Sequence, residues 1–313
     1  MKTLGIEAIN KRAKAKYSQD PLIYAMADLK SPFAKKYNDT KFCAGVLIKK
    51  GDTLTSRYCG HRWCKICNRN RTGKLINHYG PVLDQMPDKI FVTLTIPNVD
   101  GSVLRQSIKQ MIKTVKLIQD NRRKQKKPLI RGIRKLECTY NVERNDYHPH
   151  FHFLIENQII ANELIVEWLQ YYPDASIKGQ DERSAYDYLE LFKYFTKLTS
   201  NAGKTYVNGT KVKDEWHYPD ALDIIFRSIE KLRIIQPMGG IRIISDDVDE
   251  LVSEQLDETL NDPTKYDTFF IWGDDNWFDP YTGELFSSFR PTKNLSNYRK
   301  KIRYLHHVPD KIT

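Results

Sequence analysis

The stretch that decides the fold is residues 148–155, His-Pro-His-Phe-His-Phe-Leu-Ile. On a β-strand, side chains two positions apart lie on the same face. His150 and His152 therefore share a face, whereas Phe151 and Phe153 point to the opposite one, which we expect to be the core. Two imidazoles on one face supply half of the ligands of a divalent-metal site. A single histidine on a strand is usually structural, but a pair separated by one apolar residue favours metal binding.

Two further strand patterns accompany the histidines. Residues 89–96, Lys-Ile-Phe-Val-Thr-Leu-Thr-Ile, are apolar and threonine residues typical of a strand, which Pro97 ends. Residues 133–142 predict another strand, joined to the histidine strand by a short polar turn at 143–146 as an antiparallel hairpin. In this hairpin Glu137 lies beside the histidines and could supply a third ligand. The alternative is an ordinary exposed carboxylate.

Helical patterns surround these strands. Between Ser102 and about Lys127 apolar residues recur every three or four positions, which predicts an amphipathic helix with lysines on its outer face. Residues 161–171, 182–199 and 220–231 are also expected to be helical, and we expect short strands at 232–235 and 241–244. This mixture of helices and antiparallel strands predicts an α+β fold.

Four of the five cysteines lie close together, at Cys43, Cys59, Cys64 and Cys67. In a chain without a secretory signal, clustered cysteines favour a metal site over disulfides. The pair at 64 and 67 lets two thiolates bind one ion from a tight turn, and the other two can complete a tetrahedral zinc site, with His61 as a competing ligand. Four thiolates leave no open coordination position, so we expect this zinc to be structural. A set of buried, reduced thiols is the alternative, although the surrounding stretch is polar.

Charge is distributed unevenly along the chain. The net charge is +11, but residues 1–135 carry 30 basic and 9 acidic side chains, whereas the remainder carries 20 and 30. A strongly basic portion favours a polyanionic partner such as nucleic acid, although it could also be a solvated surface. The candidate DNA-binding residues lie around the cysteines and on the basic helix: Arg62, Lys65, Arg69, Arg71, Lys109, Lys113, Arg122, Arg123 and Lys124.

Two observations bear on location. No apolar run reaches the roughly 18–20 residues that span a bilayer. The first 20 residues contain basic clusters but lack the apolar segment of a secretory signal. We therefore expect a cytoplasmic protein with no membrane partner.

Taken in order, these features resemble the HUH endonucleases, and most closely the rolling-circle plasmid replication initiators that have one catalytic tyrosine and an upstream cysteine cluster. The resemblance covers roughly residues 40–200. It rests on the cysteines, the Phe-Val-Thr-Leu-Thr strand at 91–95, Glu137, His150-Phe-His152 and Glu190-x3-Tyr194-x2-Lys197. The sequence departs from the family pattern at two places, neither of which is a metal-ligand position. Asp146-Tyr147 stands where the family often has Gly-Trp, and Lys65 stands where a proline often follows the cysteine.

The resemblance implies a reaction. Tyr194 would attack one strand of DNA at a plasmid origin, leaving a 5′-phosphotyrosine link and a free 3′-OH primer for rolling-circle replication. Glu137, His150 and His152 would hold one Mg²⁺ or Mn²⁺. Lys197 would orient the phosphate, and Glu190 would activate water or a strand-transfer step at termination. The tyrosine motif alone is weak evidence, since the chain contains 18 tyrosines.

The resemblance also implies an architecture and partners. The fold would be a central antiparallel sheet with flanking helices, RRM-like with a ferredoxin-like topology. We expect an N-terminal arm over 1–40, a zinc-binding element over 41–80, an endonuclease core over 81–204, and a C-terminal extension over 205–313 that could pack on the core. Expected partners are single-stranded or cruciform or supercoiled origin DNA, and the helicase and DNA polymerase of a bacterial host.

Three other functions are compatible with the sequence. A relaxase or transposase of the same superfamily would use the same nick for transfer or transposition. A non-enzymatic zinc protein would bind DNA and use the histidine pair structurally. A metallohydrolase with zinc on the histidine pair would cleave without a covalent link to DNA.

Overall fold

The structure, a computed structural model, describes residues 6–185, 188–192, 200–207, 210–242, 244, 262–292 and 294–304. These residues form two compact units. One takes in the chain up to Arg71 together with the described residues beyond Asp247, and the other runs from Thr72 to Asp246. The predicted α+β fold, with antiparallel sheets and flanking helices, is confirmed.

Helices and strands alternate irregularly along the chain. The first elements are α1 (Ile6–Ala27), α2 (Ala34–Lys41), β1 (Val46–Lys50), β2 (Thr53–Ser56), α3 (Lys65–Asp84), β3 (Ile90–Thr95) and α4 (Leu104–Lys124). They are followed by β4 (Gly132–Asn141), β5 (Asp146–Ile155), α5 (Gln158–Tyr171), β6 (Asp181–Ser184), α6 (Leu189–Phe192), β7 (Ser200–Val207), β8 (Thr210–Trp216), α7 (Pro219–Ser228), β9 (Ile235–Met238), β10 (Thr268–Trp272), β11 (Trp277–Phe278) and α8 (Leu295–Arg299). Short 3-10 turns lie at Ile177–Gly179 and Pro263–Lys265.

The sheet of the second unit has the strand order β6-β3-β5-β4-β9, and all of its neighbours are antiparallel. One face is the core face, where Phe151 and Phe153 are fully buried and Phe151 meets Trp168 of α5 edge to face at 6.0 Å. Helix α4 packs against both α5 and α7. Because side chains alternate along β5, His150 and His152 project from the opposite face.

The predicted hairpin of β4 and β5 is confirmed, and its turn fixes the register. Asn145 adopts a positive φ of 52°, a conformation that asparagine tolerates, and its side-chain oxygen accepts a hydrogen bond from the Tyr140 hydroxyl at 2.8 Å. With Tyr140 opposite Tyr147, Glu137 comes to lie directly opposite His150. A two-residue side-chain period means that a slip of one residue would turn Glu137 to the other face.

Pro149 lies inside β5 without breaking the sheet. The amide of Tyr147 donates to the carbonyl of Val99, so by alternation the nitrogen of Pro149 faces the same side. On that side β3 has already ended at Thr95, the partner of His150. The missing N–H therefore leaves no ladder hydrogen bond unmade.

Two elements differ from the sequence-based expectation. The helix predicted over 182–199 is wrong at its start, because residues 181–184 form an edge strand on β3 and the described helix there is only Leu189–Phe192. All four side chains of β6 are exposed, so no apolar alternation marked it as a strand. Instead of strands at 232–235 and 241–244, one strand forms at Ile235–Met238. Gly239 and Gly240, both with positive φ, turn the chain directly after it.

The sheet of the first unit has the strand order β11-β10-β1-β2. It joins distant parts of the chain, since Ile48 of β1 pairs with Phe269 of β10. The fully buried Trp277 packs with Cys43 in the core of this unit and donates its indole N–H to the carbonyl of Ala44 at 2.8 Å. Residues 262–304 thus complete the core that contains the cysteines, whereas residues 210–242 belong to the second unit. The predicted domain boundaries at 41, 81 and 205 stay a prediction.

Within the described residues, no helix combines the length and the apolar character that crossing a bilayer requires.

Candidate functional site

Glu137, His150 and His152 form a compact group on the face of the second unit's sheet that lies opposite Phe151 and Phe153. Their candidate ligand atoms all lie within 4.8 Å of one another. The Nε2 atoms of both histidines are 3.5 Å from the same oxygen, Oε2 of Glu137. The sequence therefore predicted correctly that these three side chains share a face.

Each imidazole is held so that its Nε2 faces the group. Nδ1 of His150 lies 3.0 Å from the backbone carbonyl of His148, so this nitrogen carries the proton and donates it. Nδ1 of His152 lies 3.1 Å from the hydroxyl of Thr93 on β3. Metal-binding histidines usually have their second nitrogen fixed in this way, since it sets the tautomer and the ring orientation.

Glu137 is buried and charged. Its Oε1 lies 2.6 Å from the ammonium of Lys135, and the two side chains are only 7% and 1% exposed. Burial alone would raise the pKa of Glu137, but the neighbouring imidazoles of His150 and His152 and the Lys135 ammonium hold it well below its usual range. The site therefore contains a carboxylate that stays ionised.

The donor set fits a divalent cation. Oε2 of Glu137 is buried and, among the described residues, has no hydrogen-bond partner. A buried carboxylate oxygen without a partner costs free energy, and a cation between it and the two Nε2 atoms would remove that cost. Mixed imidazole and carboxylate ligands suit ions such as Mn²⁺.

His148 lies next to this group without being part of it. Its ring stacks on that of His150 at 5.2 Å, and its Nδ1 lies 2.8 Å from the side-chain oxygen of Asn98. The amide of Asn98 in turn donates to Asp146 at 2.6 Å. Burial and the neighbouring His150 lower the pKa of His148 to about 4. His148 is therefore neutral near pH 7, and its ring packs against that of His150.

The four clustered cysteines converge in the first unit. All five cysteines of the chain are free. The sulfurs of Cys43, Cys59, Cys64 and Cys67 all lie within 4.8 Å of one another, and the pairs 43–67, 43–64 and 59–67 approach to 3.5 to 3.7 Å. Four thiolates about 2.3 Å from a tetrahedral ion would be separated by about 3.8 Å, so the group can hold a metal ion. The ring of His61 stacks on Trp63 at 4.6 Å, and the described group that could hold a metal ion here consists of the four cysteines.

The tyrosine motif falls largely outside the described residues. Tyr194 and Lys197 lie beyond them, and for Glu190 only the backbone, in α6, is described. Helix α6 packs against β5, the strand that carries both histidines. Its last residue, Phe192, is fully buried and stacks on Tyr79 of α3 at 6.3 Å. The chain is thus anchored two residues before Tyr194.

The candidate DNA-binding residues differ in burial. Arg122 and Arg71 are buried. The Arg122 guanidinium binds Glu163 and Glu167 at 2.6 and 2.9 Å, and the Arg71 guanidinium binds the side chain of Asn68 and the carbonyl of Gly60. This is the placement of structural side chains rather than of phosphate ligands, because their donors are already used inside the protein. The exposed members are Arg69, Lys109, Lys113, Arg123 and Lys124, whereas Arg62 and Lys65 are half-buried.

Sequence reasoning missed one member of the site, Lys135. It lies two residues before Glu137 on β4, so the strand period places both side chains on the same face. The signal was present in that spacing. A lysine is rarely buried, however, and the carboxylate of Glu137 supplies a charge that makes its burial tolerable.

Comparison with known proteins shows that part of this chain is similar to a described family. Residues 52–159 match the model of a family described as "Replication protein". The likeness is to replication proteins. The matched segment contains β3, β4 and β5 and therefore Glu137 and both histidines. It supports the resemblance to plasmid rolling-circle replication initiators.

The chain is also similar to individual proteins that carry the name "Protein rep". The chain is 37% identical over 124 residues to "Protein rep" of Staphylococcus aureus, an alignment that covers 36% of this chain and 52% of that protein. It is 34% identical over 136 residues to "Protein rep" of a Bacillus species, covering 39% and 44%, and 33% identical over 104 residues to that of Streptococcus pneumoniae serotype 2, covering 31% and 32%. The matched part of the chain thus covers about half or less of the length of these relatives. No solved structure matches the chain significantly.

Proposed function

We propose that this chain initiates plasmid replication by nicking one strand of origin DNA, with the phenol of Tyr194 as the nucleophile. The observation that carries the proposal is the convergence of two imidazole Nε2 atoms on the unpartnered Oε2 of Glu137, inside a segment similar to replication proteins. With a divalent cation bound, such a site would stabilise negative charge on a phosphate, which is what nicking requires.

The reaction is a transesterification at phosphorus. The tyrosine oxygen, having lost its proton, forms a bond to phosphorus while the bond to the 3′ oxygen breaks. The leaving oxygen takes up a proton and becomes a 3′-OH that a polymerase can extend. The 5′ side stays attached to Tyr194 as a phosphotyrosine, so the energy of the phosphodiester is kept for a later strand closure.

The residues around the reaction have separate tasks. A divalent ion, Mg²⁺ or Mn²⁺, would supply positive charge to polarise the scissile phosphate when bound. Glu137, His150 and His152 would hold it, with the imidazoles fixed by the carbonyl of His148 and by Thr93. Lys197 would orient the phosphate. Glu190 would activate water at termination, because a carboxylate is a better base for water near pH 7 than a phenol of pKa about 10.

The cysteine group would hold structural zinc. Its sulfurs approach as closely as a tetrahedral zinc site requires, and four thiolates leave no position for a substrate. Lys16, fully buried in α1, donates to the carbonyl of Cys43 at 2.8 Å and adds positive charge beside the thiolates. The zinc would therefore stabilise the first unit rather than take part in the nick.

Binding to DNA would use exposed cations. Lys109 and Lys113 lie on the outer face of α4, and Lys124 follows near its end. Neutralising phosphates releases condensed counterions, so origin binding should weaken steeply as salt rises. We infer single-stranded or cruciform origin DNA as substrate, and a host helicase and polymerase as partners, in the cytoplasm of a bacterium.

The test is a covalent-adduct assay. The protein is incubated with labelled single-stranded origin-like DNA and Mn²⁺, then resolved on a denaturing gel. Wild type should give a protein–DNA adduct that EDTA abolishes and that is absent from Tyr194→Phe. Tyr188→Phe is the matched control, because Tyr188 lies six residues earlier and its hydroxyl donates to Asp84 at 3.3 Å. It should keep the adduct.

Other outcomes identify the competing functions. DNA binding with neither adduct nor cleavage, over varied sequences, would favour a non-enzymatic zinc protein. Cleavage without an adduct would indicate a metallohydrolase. An adduct in Tyr194→Phe that disappears in another tyrosine variant would refute the assigned nucleophile. Replication is then separated from mobilisation or transposition by asking whether the Tyr194→Phe gene still maintains a plasmid that carries the origin.

A further inference from the structure

The buried ammonium of Lys135 pairs with one of the two carboxylate oxygens of Glu137. Lys135 is 1% exposed, and its ammonium lies 2.6 Å from Oε1 of Glu137. Its cross-strand partner on β5 is His152, so it belongs to the same face as both histidines. A lysine this deeply buried is tolerated only with a charged partner, and Glu137 supplies that charge.

The two oxygens of Glu137 are therefore differentiated. Oε1 is engaged by the ammonium, whereas Oε2 points to the Nε2 atoms of His150 and His152. Turning both oxygens toward a cation would take the carboxylate away from Lys135 and leave a buried ammonium without this partner. Breaking a buried ion pair is strongly unfavourable, so the lysine opposes such a rotation.

Divalent ions differ in how they use a carboxylate. Ca²⁺ takes six to eight oxygen ligands and readily accepts both oxygens of one carboxylate. Mg²⁺ requires a near-ideal octahedron, is usually bound through one or two carboxylates, and keeps several waters. A site that offers a single carboxylate oxygen therefore disfavours Ca²⁺ more than Mg²⁺.

We propose that Lys135 limits Glu137 to one ligating oxygen and thereby makes the site selective for small octahedral ions over Ca²⁺. The proposal rests on the metal site of the proposed function. Lys135 is a positioning residue, since it acts on the ion through Glu137. It also leaves the remaining coordination positions to water and substrate phosphate, which a bidentate carboxylate would reduce.

The experiment measures metal binding without DNA. The full chain is titrated with Mn²⁺, and free Mn²⁺ is followed by its electron paramagnetic resonance signal; Mg²⁺ and Ca²⁺ then compete for the site. In Lys135→Met, which keeps an unbranched side chain one atom shorter and removes the charge, the ratio of Ca²⁺ to Mg²⁺ affinity should rise about tenfold. Arg131→Met is the matched control: it removes a surface cation paired with Glu156 near the start of β4 and should keep the wild-type ratio.

The ratio decides between this role and a merely electrostatic one. Loss of a nearby positive charge would strengthen binding of all divalent ions alike, and loss of a structural support would weaken all alike. An unchanged ratio in folded Lys135→Met, whatever the absolute affinities, overturns the proposal. If circular dichroism without metal shows that this variant does not fold, Lys135→Gln takes its place, with the same expected rise and the same overturning result.

Two further variants complete the design. Lys135→Arg keeps a cation against Glu137 and should not gain Ca²⁺ affinity relative to Mg²⁺; a gain equal to that of Lys135→Met would overturn the proposal. His150→Ala should lose Mn²⁺ binding at this site. If wild type binds no Mn²⁺ that His150→Ala loses, the metal-dependent function fails as well. If wild type binds and only the ratio fails to move, the role of Lys135 alone is refuted.

Discussion

Replacing Glu137 by glutamine should change both the stability of the second unit and its response to metal. The change keeps the side-chain shape but removes the charge that faces the buried Lys135 ammonium at 2.6 Å. Removing one partner of a buried ion pair costs roughly 3–5 kcal/mol. Because the amide oxygen can still accept a hydrogen bond from Lys135, we expect the lower end, about 3 kcal/mol. For a unit of this size that lowers the melting temperature by about 6–12 °C.

Bound metal should widen the difference in stability between wild type and Glu137→Gln. At a concentration of Mn²⁺ that is about 100 times the dissociation constant, binding stabilises wild type by about 2.7 kcal/mol. Glu137→Gln retains the imidazoles but lacks the anionic ligand, so this stabilisation should largely disappear.

The assay is thermal unfolding of both proteins in EDTA and in excess Mn²⁺, followed by circular dichroism. Glu156→Gln is a control, because Glu156 forms a surface ion pair with Arg131 on the same hairpin. It should melt close to wild type and keep the metal response. A Glu137→Gln protein that melts at the wild-type temperature in EDTA and still gains stability from Mn²⁺ would refute the reasoning.

Three more predictions concern the rest of the molecule. Glu167→Ala should lower the free energy of unfolding by about 2 kcal/mol in urea titrations, since it leaves the buried Arg122 guanidinium with Glu163 as its remaining acidic partner. An unchanged midpoint of the urea titration would contradict a structural role for Arg122. Metal analysis of untreated protein should give one zinc per chain. Removing this zinc with a strong chelator should shift tryptophan fluorescence to the red, because Trp277 is buried against the cysteines. An unaffected spectrum in fully zinc-free protein would argue against a structural site. Burial raises the pKa of Asp20 to about 6, so the protonated form is favoured in the folded state and stability should fall as the pH rises from about 4 through 6. Asp20→Asn should remove that slope and be about 2–3 kcal/mol more stable than wild type at pH 7.5; a parallel pH dependence in the two proteins would contradict this.

Some of the site could be predicted because local rules govern it. The strand period places His150 and His152 on one face, and a hairpin with a short polar turn fixes which residue of β4 lies opposite them. The position of Glu137 beside the histidines could therefore be predicted before the fold was known. The cysteine group could be predicted for a similar reason, since a pair of cysteines two residues apart can bind one ion from a single turn.

Other placements depended on distant contacts. Arg122 continues a basic run and was expected to face DNA, but Glu163 and Glu167 on α5 hold it inside. Arg71 was expected to present charge beside the cysteines, but it donates to the carbonyl of Gly60. The partners of Arg122 lie on another helix, and those of Arg71 lie 3 and 11 residues earlier in the chain, so the charge alone did not show that either side chain is buried.

The sequence by itself determined the chemistry available to this protein: two imidazoles and a carboxylate on adjacent strands, and four thiolates in one short stretch. These follow from side-chain periods and short spacings, which require no knowledge of the rest of the chain. Only the tertiary structure decided that β10, more than 200 residues away, pairs with β1 to close the core around the cysteines. Only the tertiary structure decided that Lys135 is buried against Glu137, because the free energy of burying a lysine depends on everything packed around it.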